Sequence, residues 1–291
     1  MAVQFFQPQT VHEAVAVLAQ QGSAAQVLAG GTDLVVHARG GRSDLPSALV
    51  HLGQIAALRT ISVDDSGALH LGSMVSHHAI ERSALVQRGW TALCDASAIV
   101  GSPGTRHVGT IGGNLCNGSP AMETGGPVLA YDASVRLVGP QGERTLALKD
   151  FFLGPGRTAR ADQEVLAEVI VPALAGSGAR SGSAYLRLEF RKAMEIAIAG
   201  VTAALVLDAS GAITDCRLAL TAVAPVIVRA PEAEVALRGQ MPTAEVLAKA
   251  GALAAAASSP IDDVRAPAEY RRAMIAVYAV RALRLALERC K

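Results

Sequence analysis

Apolar and polar positions in the first 56 residues predict one helix and two short strands. Thr10 and Glu13 have the spacing of a capping box that starts a helix. Four apolar residues then share one helical face: Val11, Ala14, Val15 and Leu18. The apolar runs 26–29 and 48–52 are typical of buried strands, and the first of them runs directly into a double glycine.

From residue 58 the pattern indicates an antiparallel sheet with helices between its strands. The runs 60–63 and 68–72 flank a polar turn and predict a β-hairpin. Ser76 has the position of an N-cap for the next helix, and a further helix is predicted at about 90–99. Three more strands are predicted at 133–138, 145–148 and 164–172.

The stretch 175–183, rich in glycine, serine and alanine, is the clearest linker in the sequence. Beyond it, the apolar runs 199–207 and 214–221 predict strands. An alanine-rich helix is predicted at 243–257.

A last helix is predicted at 268–289. Five residues form its predicted apolar stripe: Ala273, Ala276, Val280, Leu283 and Leu287. Arg271, Arg281 and Arg289 are expected elsewhere on the surface of this helix.

Two double glycines, Gly30-Gly31 and Gly112-Gly113, each follow an apolar run and precede a short polar side chain. Glycine accepts positive φ and brings the backbone close to a ligand, because it has no Cβ. Consecutive free N–H groups in such a turn form a concavity suited to a phosphate. The pair of turns therefore predicts a diphosphate-bearing cofactor held from both sides. The alternative is two tight turns with no ligand.

Residues beside these turns have structural as well as ligand-binding interpretations. We favour Asp33 as an N-cap, since a carboxylate aimed at a phosphate would repel it. Thr110 and Asn114 are expected to contact the cofactor, although such groups also stabilise turns. His107 is interpreted as a surface imidazole, and Cys116 as a small buried residue.

Composition excludes several classes of function. A chain of 291 residues fits two or three subdomains. About half of its residues are apolar, which is typical of globular proteins. A net charge of +1 without a basic run argues against nucleic acid as the main partner. The sequence has no apolar stretch long enough for a membrane span and no signal-peptide pattern at its start, which predicts a cytoplasmic protein.

The cysteines and histidines predict no metal site. The four cysteines are scattered without a C-x-x-C pair, so the usual spacing of zinc or iron–sulfur ligands is lacking. The adjacent His77 and His78 would point to opposite faces of a strand, which makes them a poor chelate. The expected cofactor is organic, or there is none.

The glycine motifs at 29–34 and 110–114 resemble those of the FAD-binding medium subunits of the molybdenum hydroxylases. These are the enzymes of the xanthine dehydrogenase and carbon monoxide dehydrogenase type. The resemblance covers nearly the whole chain and includes four further segments: 151–156, 183–187, 191–195 and 223–225.

The resemblance implies an α+β fold. Two α/β subdomains of the vanillyl-alcohol-oxidase-like (PCMH-type) FAD-binding fold would span residues 1–56 and 57–174. A C-terminal α+β domain would span 180–291. FAD would lie in the cleft between the two subdomains.

The resemblance also implies which residues bind FAD. The diphosphate would be held, through backbone N–H groups and one hydroxyl, by Val27, Leu28, Ala29, Gly30, Gly31, Thr32, Asp33 and Leu34. The second side of the cofactor would be lined by Thr110, Ile111, Gly112, Gly113, Asn114 and Asn117.

Three more residues match the FAD-contacting positions of the family. Glu123 falls where an acidic residue contacts the sugar-like chain, and Leu166 would pack near the adenine or the flavin. Arg187 falls where a lysine commonly contacts the flavin. The family usually has Asp at 123 and Lys at 187, so both residues depart from its pattern, and a planar guanidinium is not equivalent to an ammonium. Tyr185 either packs on the flavin or fills the domain junction.

The implied function is that of an oxidoreductase subunit that relays electrons and has no catalytic residues of its own. Electrons would pass from iron–sulfur clusters of a small [2Fe-2S] subunit through FAD to an acceptor such as NAD. Substrate would be oxidised at a molybdenum cofactor in a large subunit. The lack of an acid–base constellation fits a chain whose cofactor carries the chemistry. The alternatives are a self-contained FAD-dependent oxidoreductase and a flavin-free assembly subunit.

Overall fold

A computed structural model describes residues 3–41, 43–176 and 179–290. Arg42, which follows Gly40 and Gly41, lies outside the described residues. So do Ser177 and Gly178 of the predicted linker.

The N-terminal unit is a small parallel sheet with one helix packed on it. The elements are β1 (Gln4–Phe6), α1 (Val11–Gln21), β2 (Ala25–Leu28), α2 (Leu34–Arg39) and β3 (Ala48–His51). The strand order is β1-β3-β2, so β2 lies at an edge of the sheet. The predicted cap of α1 is confirmed, because Thr10 Oγ1 accepts the Glu13 N–H at 3.1 Å. The Glu13 carboxylate accepts the N–H of Gln9 rather than that of Thr10.

The middle unit is an antiparallel sheet with six helices. Its strands are β4 (Ile61–Val63), β5 (Leu69–Gly72), β6 (Ser134–Gly139), β7 (Gly142–Ala147), β8 (Phe152–Gly154), β9 (Arg157–Thr158) and β10 (Val165–Val171). Its helices are α3 (His77–Arg82), α4 (Ala84–Gly89), α5 (Thr91–Ala98), α6 (Pro103–Val108), α7 (Ile111–Asn117) and α8 (Gly125–Ala130). The main sheet has the order β4-β5-β10-β6-β7, which confirms the predicted hairpin and the three predicted strands.

The C-terminal unit is a four-stranded antiparallel sheet covered by helices. Its elements are β11 (Arg180–Leu188), β12 (Ala199–Leu207), β13 (Ile213–Thr221), β14 (Val228–Arg229), α9 (Pro231–Leu237), α10 (Ala244–Ala256) and α11 (Ala268–Glu288). Apolar residues of the strands and the three helices form one buried core. The sheet also contacts α5 and α8 of the middle unit.

Short elements account for most of the differences from the sequence prediction. Helices α4, α6 and α9 span six or seven residues each, too few for a periodic pattern to reveal them. The linker predicted at 175–183 is also too long at its C-terminal end, because β11 begins at Arg180. Residues 180–183 pair with 204–207 as the first part of β11.

The predicted apolar stripe of α11 is only partly correct. Leu283 is fully buried, and Ala276, Val280 and Leu287 are half-buried against the same core, whereas Ala273 is exposed. The buried face consists of Arg271, Ile275, Ala279, Ala282, Leu283 and Ala286. Alanines occur all around this helix and blur its periodicity, while Arg271 is buried because its guanidinium donates to the Ile198 carbonyl at 2.8 Å.

Hydrogen bonds and ion pairs join the middle and C-terminal units. Arg289 pairs with Asp95 at 2.6 Å, and the hydroxyls of Tyr131 and Ser183 are hydrogen-bonded at 2.5 Å. Arg229 reaches Asp132 at 2.7 Å. No helix in the described ranges is both long enough and apolar enough to cross a membrane.

We predict that Gly182→Ala destabilises the chain. A Cβ at this position of β11 would overlap the Ala286 carbonyl oxygen and lie 2.7 Å from the Cys290 nitrogen, so α11 has to move. Overpacking of this kind costs about 1–3 kcal/mol, measurable as a lower urea midpoint. Gly154→Ala is the control, because no described atom lies within 4 Å of its Cβ position. Equal midpoints for the two variants would contradict the prediction.

Candidate functional site

The two glycine motifs, distant in sequence, touch each other in the structure. A Cβ at Gly30 would overlap the carbonyl oxygen of Val108. A Cβ at Gly113 would lie 3.5 Å from the Cβ atom of Ala29. Ser76 and Thr110 form a single antiparallel bridge beside this contact. The N-terminal and middle units therefore meet backbone to backbone at the predicted site.

The first motif has the free donors of an anion cradle. Gly31 adopts φ +71°, a left-handed conformation that glycine accepts without strain. The first bond of α2 runs from the Val35 N–H to the Gly31 carbonyl at 3.0 Å. In the described part of the chain, the N–H groups of residues 30–34 find no protein acceptor. Five consecutive free donors fit the diphosphate predicted here.

The second double glycine is not an anion cradle, and that part of the prediction is wrong. It forms the first turn of α7, with Thr110 as N-cap. All four N–H groups of residues 111–114 are paired, with acceptors at 2.9–3.0 Å on Val75, Ser73 and Thr110. The glycines serve close packing instead, since a Cβ at Gly112 would lie 2.6 Å from the Ser73 carbonyl oxygen.

Asp33 takes the N-cap position of α2 without a capping bond. Its carboxylate accepts no helical N–H, in contrast to the favoured interpretation. Burial raises the pKa of the Asp33 carboxyl, and nearby His37 opposes that rise. The free N–H groups of the cradle are therefore left available to a ligand.

A cavity of about 190 Å³ opens where the motifs meet. Ala29, Gly30 and Thr110 line it from the motifs themselves, and Val108 lines it from just before the second motif. The rest of the lining consists of Met74, Ser76 and three side chains with ring or guanidinium nitrogens: His51, Arg59 and His107. None of the nine lining residues carries a carboxylate. A larger apolar groove of about 390 Å³, between α9 and α10, lies away from both motifs.

The remaining motif residues are not among those that line this cavity. Val27 and Leu28 end the edge strand β2, Thr32 Oγ1 lies near Gly109, and Leu34 begins α2. The predicted second side is α7, which Ile111 begins and Asn117 ends. Asn114 Oδ1 accepts the Thr124 hydroxyl at 2.6 Å, so this amide also holds the α7–α8 connection. Leu166 is buried in the core of the middle unit.

Glu123 and Arg187 are brought together, but at the junction of the middle and C-terminal units. Arg187 forms a buried ion pair with Glu123 and bonds Glu189 at 2.6 Å. The Tyr185 hydroxyl donates to Glu123 at 2.5 Å, which places Tyr185 in the domain junction, one of its two expected positions. Burial raises the pKa of the Glu123 carboxyl, and the Arg187 charge opposes that rise. The longer carboxylate and the planar guanidinium thus bind each other. Their contact with the cofactor stays a prediction.

His107 matches its structural interpretation, whereas Cys116, expected to be buried, is half-buried. His107 is exposed, stacks on His78 at 3.9 Å between ring centroids, and bonds the Pro103 carbonyl through Nδ1 at 2.8 Å. Burial raises the pKa of the Cys116 thiol to about 11, which makes it inert. No cluster of metal-ligating side chains occurs among the described residues.

His51 and Arg59 were missed by the sequence analysis. They come from the end of β3 and from the 3₁₀ turn Ala56–Arg59, outside both glycine motifs. The only signal in the sequence is a histidine at the end of a strand that is predicted beside the first motif, with an arginine eight residues later. That pattern is too common to single them out.

Comparisons with known proteins decide the family. Residues 1–174 match the FAD binding domain in molybdopterin dehydrogenase, and residues 184–286 match the CO dehydrogenase flavoprotein C-terminal domain. The chain is an FAD-binding medium subunit of the molybdenum hydroxylase family. It is 35% identical to the carbon monoxide dehydrogenase medium chain of Hydrogenophaga pseudoflava, over 99% of this chain and 98% of that one. It is 32% identical to the xanthine dehydrogenase FAD-binding subunit of Escherichia coli O157:H7, over 77% and 75% of the two chains.

The solved structures agree. A carbon monoxide dehydrogenase chain from Hydrogenophaga pseudoflava, in a form lacking the Mo-pyranopterin moiety of its molybdenum cofactor, superposes with a TM-score of 0.94. That comparison covers 100% of this chain and 99% of that chain at 34% identity. The predicted fold class, the FAD cofactor and the assignment as an oxidoreductase subunit are confirmed. The free N–H groups and the carboxylate-free lining of the cavity fit the diphosphate of FAD.

We predict that Gly30→Ala weakens FAD binding. The new methyl group overlaps the Val108 carbonyl, so the two motifs must separate and the cradle deforms. A strain of about 1–3 kcal/mol that is relieved in the apo chain would raise the dissociation constant about 5- to 150-fold. Flavin fluorescence titration of the apo chain measures this change. Gly104→Ala in α6 is the control, since its Cβ position meets only Ser102 Oγ, at 3.8 Å. FAD affinity equal to that of the wild type in Gly30→Ala would contradict the prediction.

A buried histidine beneath the site makes stability depend on pH. The His77 N–H donates to the Gly109 carbonyl at 3.1 Å, and its imidazole is buried with Nδ1 unpaired among the described residues. Burial, reinforced by the Arg106 charge, lowers the pKa of His77 from 6.5 to about 4. The unfolded chain therefore binds more protons between these pH values. The contribution of His77 is complete above pH 6.5 and is lost as the pH falls toward 4.

We predict that His77→Phe flattens this pH dependence. The wild-type free energy of unfolding should fall by up to about 3 kcal/mol through protonation of His77 as the pH drops across that window. Urea unfolding at both ends of the window measures the fall. His12→Phe is the control, because His12 is exposed. A fall in His77→Phe as large as in the wild type would show that other groups cause it.

Proposed function

We propose that this chain is the electron-transfer FAD subunit of a molybdenum hydroxylase complex. A large subunit with the molybdenum cofactor would oxidise the substrate, and a small [2Fe-2S] subunit would deliver electrons to the FAD bound here. The electrons would leave to an acceptor such as NAD. The family assignment supports this role, because the relatives are named as medium chains or FAD subunits of such dehydrogenases.

One observation carries the proposal: the residues that line the cavity offer donors for an anion and include neither a carboxylate nor a thiol. Backbone N–H groups and basic side chains surround the cavity, and none of its lining residues carries a carboxylate. Burial raises the pKa of the thiols of Cys94, Cys116 and Cys216, which removes them as nucleophiles. Such a site suits a chain that binds and positions its cofactor and leaves the chemistry to it.

The roles of the residues follow from their places. FAD, when bound, supplies the capacity to accept and donate electrons. Residues 27–34 would hold its diphosphate through the free N–H groups, and residues 110–117 would form the facing wall. The buried Glu123–Arg187 pair fixes the C-terminal unit against the middle unit, so the wall keeps its position. The cytoplasmic location stays a prediction.

The test is purification of the native complex through a tag on this chain, followed by cofactor analysis. We expect a large and a small partner, with molybdenum, iron and FAD in the preparation. The same chain purified alone and loaded with FAD should not turn over the substrate of the complex.

Two results would overturn the proposal, each in favour of one alternative. Steady-state turnover by the isolated, FAD-loaded chain would establish a self-contained oxidoreductase. A complex containing molybdenum and iron without flavin would establish an assembly subunit. In that second case the free chain should also fail to bind added FAD.

A further inference from the structure

We infer that Arg59 is the side-chain cation that binds the FAD diphosphate, and that Gly53 holds its guanidinium in place. Arg59 lies outside both glycine motifs and faces the first motif across the 190 Å³ cavity. The inference rests on the proposed assignment of residues 27–34 as the diphosphate cradle.

The charge of the ligand calls for such a group. The diphosphate of FAD, which joins adenosine to the ribityl chain of the flavin, carries two negative charges, whereas the N–H groups of residues 30–34 offer only partial positive charges. An anion taken from water into a partly enclosed site needs a compensating charge or charge-assisted hydrogen bonds. Among the nine residues that line the cavity, Arg59 is the one whose side chain is charged at every physiological pH.

The guanidinium is already oriented before a ligand arrives. Arg59 Nε and Nη2 both donate to the Gly53 carbonyl oxygen, at 3.2 and 3.0 Å. In the described structure Nη1 has no acceptor, so its two N–H groups are available, with one more on Nη2. A guanidinium fixed on one side and free on the other loses little conformational entropy when it binds phosphate oxygens.

Gly53 makes this arrangement possible. A Cβ at Gly53 would overlap Cε1 of the His51 ring and lie 2.7 Å from Nε2. The ring therefore rests on the Gly53 backbone, and His51 and Arg59 form one packed wall of the cavity. This wall stands beside Ala29 and Gly30, where the free N–H groups of the cradle begin.

The experiment titrates the flavin-free full-length chain with FAD at low and high salt. Arg59→Gln should raise the dissociation constant about tenfold or more and reduce its salt dependence, because a charge-assisted contact is lost. The dissociation constant of Arg59→Lys should lie between those of the wild type and Arg59→Gln, since lysine keeps the charge but lacks the planar guanidinium. Arg272→Gln, which removes an exposed arginine from α11, should match the wild type.

A second readout separates binding from damage to the fold. ADP and adenosine differ only in the diphosphate, so Arg59→Gln should lower the affinity for ADP relative to that for adenosine. Gly53→Ala keeps the charge of Arg59 but displaces the backbone that holds the guanidinium. It should therefore lower the affinity for both FAD and ADP.

Each remaining outcome decides one question. If Arg59→Gln has the FAD affinity, salt dependence and ADP-to-adenosine ratio of the wild type, Arg59 only anchors a turn and the inference is wrong. Equal losses for ADP and adenosine would likewise assign it a structural role. A wild-type chain that binds no FAD at all would overturn the proposed function instead.

Discussion

The close approach of Gly30 to the carbonyl of Val108 is the contact on which the site depends. It brings the edge strand β2 and the turn before α7 so near that no side chain fits between them. The free N–H groups of the first motif then face a wall built by another unit. Any widening of this contact moves the cradle away from that wall. The two motifs form a site only because glycine permits the two backbones to touch.

The junction between the middle and C-terminal units is held by ion pairs, whereas the contact between Gly30 and Val108 depends on the lack of a side chain at Gly30. Arg187, Arg289 and Arg229 each reach a carboxylate of the middle unit. Gly126 supports the same junction from α8, since a Cβ there would lie 2.8 Å from the hydroxyls of Thr202 and Thr221. A buried pair such as Glu123–Arg187 adds little net stability but penalises any arrangement that separates its partners. Helix α7, the proposed second wall of the FAD site, is thereby held in one position.

Much of the fold and the free backbone donors of the first motif could be predicted from the sequence. Long periodic segments and strong caps such as Thr10 and Thr243 are local signals, and both helices start where expected. The second glycine pair could not be interpreted correctly, because a glycine that frees N–H groups and one that permits packing look alike in sequence. Arg59 and the buried face of α11 were missed for a related reason. Each depends on neighbours that are distant along the chain.

The contact between residues 30 and 108 has a consequence for the order of assembly. About 80 residues separate its two sides, so a large loop must close before the two motifs form one site. Neither unit can present a complete site to the cofactor while the other is unfolded. With FAD held as proposed, between residues 27–34 and 110–117, the cofactor binds only after both units have docked. Bound flavin then indicates that the two units have reached their native arrangement.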